Sequence, residues 1–186
     1  DAKVEQQRRK LEDEFDCRLR EETKKLLLRL GNLKEATLSI AKNEARVIRN
    51  SIINLCCPNE NCKKVYCDFT GCMALNCAFC GAQFCGWCHK ESKDSDANHQ
   101  HVRNCASNLT ESSSYYATDE EIRLGQRRYR IRKLKHYLGK LKKDVRNATV
   151  AELKRELEDL GIKQEALFEF GNALLPALDP PPYPII

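Results

Sequence analysis

The chain has 186 residues, with 32 Lys plus Arg against 27 Asp plus Glu, 32 % charged residues and 7 % aromatic ones. That length holds one or two small domains, and so few aromatics are thin for one large core but suit helices around a stapled module. No run of about 18 apolar residues occurs, which excludes a membrane-spanning helix.

Residues 1 to about 31 read as a helix of strong helix formers stopping at Gly31, with Val4, Leu11, Phe15, Leu19, Leu26 and Leu30 on one stripe. That stripe packs against a neighbouring helix or forms an intermolecular coiled coil. A second helix, about 33 to 54, carries Leu33, Ala36, Ile40, Ala41, Ala45, Ile48 and Ile52 on one face and runs into a cysteine-rich region. After Cys105 comes a polar linker, ASNLTESSSYYATDEE, in which Thr118 or Asp119 is placed to cap the next helix. From about 119 to 143 the pattern is helical and basic: eleven Lys plus Arg lie between Arg123 and Arg146, against the single acid Asp144. This run is either a solvated helix face or a surface for phosphates or acidic proteins.

TVAELKRELEDLGI then offers Thr149 as N-cap, Glu152 as the partner of a capping box and Gly161 as stop. It is similar to the first helix of the SAP nucleic-acid-binding motif, but the second half lacks that motif's glycine-lysine spacing after the turn, and a generic helical hairpin fits better. A shorter helix, about 163 to 175, precedes an extended tail, LLPALDPPPYPII. Pro180 to Tyr183 in that tail match the pattern read by WW domains, or belong to a trailing terminus. The organisation expected is a helical arm at 1–54, a two-zinc module at 55–106, a linker at 107–118, a basic helical region at 119–175 and a Pro-rich tail at 176–186. The fold class is mainly α, with helical arms flanking a small zinc-stapled module.

Ten of the eleven cysteines lie between positions 56 and 105. A disulfide scaffold needs a secretory context, whereas cysteine pairs near histidines favour zinc and a reducing cytosol or nucleus. No apolar signal segment opens the chain, although Asp1 suggests a fragment. Structural zinc takes four Cys or His ligands, usually as close pairs from two turns. Four pairs stand out: Cys57 with Cys62, Cys77 with Cys80, Cys85 with Cys88, and His101 with Cys105. Taken in order they fill two zinc sites, one of four cysteines and one of three cysteines and a histidine. His99 competes with His101, which has the tighter spacing to Cys105, and Cys56 competes with Cys57, which Pro58 places at the start of a turn. A turn at Gly81 is suited to aim backbone NH groups at sulfur. Cys17 reads as a plain helix thiol. Cys67 and Cys72 remain over: a buried small residue, a ligand of a third site with Cys56 and His89 or His99, or a free thiol.

The segment from 56 to 105 resembles the zinc modules of RING-between-RING ubiquitin ligases. CPNENC at 57–62 is similar to the opening of the family's middle domain (IBR), while GCMALNCAFCGAQFCGWC from Gly71 resembles its catalytic domain (Rcat). The resemblance implies that Cys72 is a nucleophile accepting ubiquitin as a thioester from a ubiquitin-conjugating enzyme, with the eight paired residues on zinc. It departs from the family at Ala74, where a histidine general base is usual, and it holds no first RING domain. The amine's proton then goes to His89, His99 or Asp68. The alternatives are a non-catalytic zinc scaffold that binds a protein, and a zinc-stapled module that binds nucleic acid through the basic helix. The sites look closed, which argues against hydrolytic zinc chemistry.

Overall fold

The computed structural model describes residues 2–66 and 71–168, apart from the side chains of 2–6, 9–13 and 17. Cys67, Asp68, the tail with Pro180 to Tyr183 and the side chain of Cys17 therefore lie outside the described residues. The fold is mainly helical, with one small sheet and two Cys/His clusters. Helix α1 runs unbroken over Ala2–Ile48 and closes with a π-helical turn, Arg49–Ile53, in which the Asn54 amide donates to the Arg49 carbonyl at 3.0 Å.

The expected break at Gly31 is absent. Gly31 is helical, without a positive φ, and a lone glycine among strong helix formers costs only about 1 kcal/mol. The expected pairing of the arm's apolar face also stops short. Ala41, Ala45, Ile48 and Ile52 are buried, whereas Leu33 and Ile40 stay exposed.

Three strands follow: β1 (Ala74–Asn76), β2 (Gln83–Cys85) and β3 (Glu91–Ser92), antiparallel in that order, with Leu75 opposite Phe84. Helix α2 (Ser95–Arg103) lies against the sheet, its first turn capped by the Asp94 carboxylate, which accepts from the Ala97 amide at 2.8 Å. The side chain of Asn98, fully buried, donates to the carbonyls of Leu75 (3.2 Å) and Phe84 (3.0 Å). Satisfying both strands at once locks α2 in rotation about its axis.

Of the two caps the sequence offers, Thr118 is the one that starts helix α3 (Asp119–Leu138), in a complete capping box with Glu121, and the helix ends at Leu138 rather than near 143. Replacing Thr118 by alanine should destabilise the protein by about 1 kcal/mol, read as a lower thermal midpoint. Beyond it lie α4 (Lys143–Glu152), α5 (Lys154–Asp159) and α6 (Glu165–Phe168). The capping role expected of Thr149 is overturned: it is buried inside α4, and its hydroxyl donates back to the Val145 carbonyl at 2.8 Å. Gly161 does end α5, with φ +62° and the Ile162 amide reaching back to the Leu157 carbonyl at 2.8 Å.

Two cores result. One joins the end of α1 to α3, α4, α5 and α6 through Ala45, Ile48, Leu134, Leu153, Leu157 and Leu167. The other lies under the zinc-type module, where Met73, Cys85, Trp87, Val102 and Cys105 meet Ile122 of α3. Gly125 lets α3 approach the module closely, since a Cβ there would sit 2.4 Å from the Trp87 ring. Several bases of α3 tie elements together. Arg130 donates to the Ile53 carbonyl (3.0 Å), Arg127 to that of Leu160 (3.1 Å), and Arg132 to the Ser107 hydroxyl (3.1 Å). No helix among the described residues is long and apolar enough to cross a membrane.

Candidate metal centres and a cysteine–histidine pair

The eight paired residues fall into two groups. Cys57, Cys62, Cys77 and Cys80 form one and Cys85, Cys88, His101 and Cys105 the other, with the ligand atoms of each group within 4.8 Å of one another. Each group is assembled from two short segments. In the first, the loop 57–62 faces the turn 77–80, which is held by the Gly81 amide on the Cys77 carbonyl (2.8 Å) and by Gly81 itself at φ +74°. In the second, the end of β2 carries Cys85 and the turn after it Cys88, while α2 carries His101 and the residues after it bring Cys105.

The donor geometry fits zinc. Cys57 Sγ lies 3.7 Å from Cys80 Sγ, and Cys62 Sγ 3.7 Å from Cys77 Sγ. A tetrahedron with zinc–sulfur bonds of about 2.3 Å has edges of about 3.8 Å. In the second group Cys88 Sγ approaches His101 Nε2 to 3.2 Å. Backbone amides point at the sulfurs: Asn59 at Cys57, Cys80 and Phe79 at Cys77, Ala82 at Cys80, Lys90 at Cys88 and Ser107 at Cys105. Those of Cys80 and Phe79 draw the Cys77 thiol down to about 7, favouring the thiolate a metal needs. In the second group the crowded sulfurs titrate against one another. Hydrogen bonds from Cys85 and Cys88 hold the Cys105 thiol well below its usual range, whereas contacts with Cys105 and Cys88 push Cys85 far up. Several thiolates share such a pocket only around a cation, so the donor set suits a divalent metal in each group. All four corners of each are filled by protein, which is the arrangement of a structural site rather than a hydrolytic one.

The two groups differ in exposure. The second has Cys85 and Cys105 buried and Cys88 half-buried, whereas the first has only Cys57 buried, Cys62 and Cys77 half-buried and Cys80 exposed. Cys56 stands outside both groups, its thiol against the carbonyls of Asn50 and Asn54. Of the two histidines that compete for the ligand position, His101 lies in the second group and His99 outside it.

Cys72 is also outside both groups. It sits next to Gly71, whose φ of +79° suits glycine, and bridges to Tyr116 across a strand-like contact in which the Met73 amide donates to the Tyr115 carbonyl at 2.7 Å. Its half-buried Sγ lies 3.8 Å from His99 Nε2 and 3.8 Å from the Ala74 carbonyl oxygen. His99 Nδ1 is 2.7 Å from the Ser95 carbonyl oxygen. A carbonyl only accepts, so Nδ1 carries a proton, and in the neutral tautomer with that proton it is the Nε2 lone pair that faces Cys72. Tyr115 packs edge-on against the same ring, centroids 4.9 Å apart.

Of the expected proton acceptors among the described residues, His99 is placed on Cys72 and His89 is not. His89 is stacked on Tyr129 with centroids 4.0 Å apart and bonded to Tyr66 Oη at 2.6 Å; burial, aided by Lys133 and Arg130, lowers it to about 3. The residues that sequence reading missed are Asn98 and Tyr115, which fix His99 from the helix and from the ring face. Neither carries a spacing signal, because both act through packing between distant segments. No family model, curated protein or solved structure matches the chain.

Proposed function

We propose that the module accepts ubiquitin as a thioester on Cys72 and passes it to a lysine amine, as the catalytic domain of a RING-between-RING type ubiquitin ligase. The observation that carries this reading is the pairing of Cys72 Sγ with His99 Nε2 beside, and separate from, two closed metal-type clusters. It supplies from α2 the histidine that Ala74 lacks. The Cys72 thiolate attacks the thioester carbonyl on the conjugating enzyme, whose own thiolate leaves. The lysine amine then attacks the new thioester, the Cys72 sulfur leaves with the bonding pair, and the amine's proton passes to His99 Nε2. Zinc in the two clusters would hold the loops in place and take no part in the transfer.

The test is to mix the protein with a ubiquitin-charged conjugating enzyme and look for a reductant-sensitive adduct. Cys72→Ala should abolish it, and Cys72→Ser should leave an adduct that survives reductant. Both variants should keep two metals per chain. An adduct that persists in Cys72→Ala, or none at all from a metal-loaded protein, would point instead to a zinc scaffold that binds its partner without chemistry.

A further inference from the structure

We infer that α1 is a self-association element: two copies of this chain pair antiparallel through the segment from Phe15 to Leu33. From Glu14 to Ile40 every residue whose side chain is described, Thr37 excepted, is exposed. The helix is about 70 Å long at 1.5 Å per residue, and over that stretch the body of the protein does not cover it. An uncovered helix is marginal in water, because packing of an apolar face is what usually stabilises one.

The exposed side chains are not scattered. Leu19, Leu26, Leu33, Ile40 and Val47 recur at strict seven-residue spacing, with exposures of 56, 56, 64, 48 and 43 %. Phe15 and Leu30 widen the same stripe. A sustained seven-residue repeat keeps these side chains on one line of a left-handed supercoil, with Glu22 and Arg29 at the positions three residues on, and the body of the protein packs instead on Ala41, Ala45 and Ile48 of another face. Covering Phe15 to Leu33 on two chains removes on the order of 1,000 Å² from water, the size at which a specific interface becomes stable.

Charge selects the orientation and the occupant. Residues 12–22 carry six acids and two bases, net −4, whereas residues 24–34 carry four bases and no acid, net +4. A parallel, in-register pair sets like charge against like. An antiparallel pair centred near Thr23 sets each acidic half on the other copy's basic half and brings Leu19 against Leu26 and Phe15 against Leu33. On the flanks, Asp16 meets the second copy's Lys34, and Glu22 its Lys25. Within one helix Glu22 and Lys25 form only an exposed pair at 2.8 Å, of little worth and free to exchange.

The mass of the metal-loaded full chain, measured by sedimentation or light scattering over a range of concentrations, tests this. The expected result is twice the 21.4 kDa chain mass for the wild type and the chain mass for L26E/L33E, whose altered side chains stand exposed in the monomer. D16K/E22K should weaken the dimer at least tenfold, and adding K25E/K34E should restore it. Higher salt should weaken the wild-type pair. A wild type that stays monomeric overturns the inference, even if it captures a different protein on α1. So does a dimer that survives L26E/L33E, and a D16K/E22K variant that dimerises as well as wild type removes the antiparallel pairing.

Discussion

Removing bound metal with a strong chelator unfolds the segment between the helical arms and brings Trp87 into water. Trp87 is the chain's one tryptophan, 1 % exposed, and its core consists of little beyond Met73, Val102, Ile122 and the ligands Cys85 and Cys105. A core that small does not offset the entropy of ordering the loops, and structural zinc contributes about 10 kcal/mol or more to such modules. The core of α1, α3, α4, α5 and α6 contains no ligand, so most helical signal should survive. Trp87 emission should therefore shift to the red while far-ultraviolet helicity falls only in part. Unchanged emission from a metal-free chain would show that the clusters do not hold the module. Of single ligand changes, Cys85→Ser should cost more than Cys80→Ser, because Cys85 is buried at the base of the second group and Cys80 lies at the surface.

Replacing His99 by alanine should slow discharge of ubiquitin from Cys72 to lysine by about 10²- to 10⁴-fold, the usual worth of a positioned general base. The adduct on Cys72 should still form, since thioester exchange moves no proton onto His99 once the thiolate is present. Single-turnover discharge separates the two steps. Equal slowing of loading and discharge would assign His99 to holding Cys72 in place instead. Asn98→Ala tests the supporting shell. It removes the bonds to the Leu75 and Phe84 carbonyls and a longer one from the Ser92 hydroxyl, and should slow discharge while lowering the thermal midpoint, an effect His99→Ala should not share.

The paired cysteines are readable because their signal is local. Two ligands with two to four residues between them belong to one turn, and turns of this kind keep their shape wherever they sit. The histidine on Cys72 is not readable in this way. His99 reaches it because Asn98 rotates α2 against β1 and β2, a contact between distant segments that leaves no mark in spacing. Thr149 misleads for a related reason. Thr-x-x-Glu marks a helix start only where the chain before it is not helical, and Lys143 to Asn147 already are. The basic run of α3 is ambiguous because charge alone does not say where a long side chain ends. Arg127, Arg130 and Arg132 turn their heads to internal acceptors.

The two ligand sets are consecutive along the chain, not interleaved: the first ends at Cys80 and the second begins at Cys85. A chain made from its amino end can therefore close its first cluster before any ligand of the second has been synthesised. The order of assembly is written into the order of residues, and a metal captured early cannot be shared with the wrong partners. The hairpin of β1 and β2, whose loop holds Cys77 and Cys80 and whose second strand ends at Cys85, is the element the two groups share.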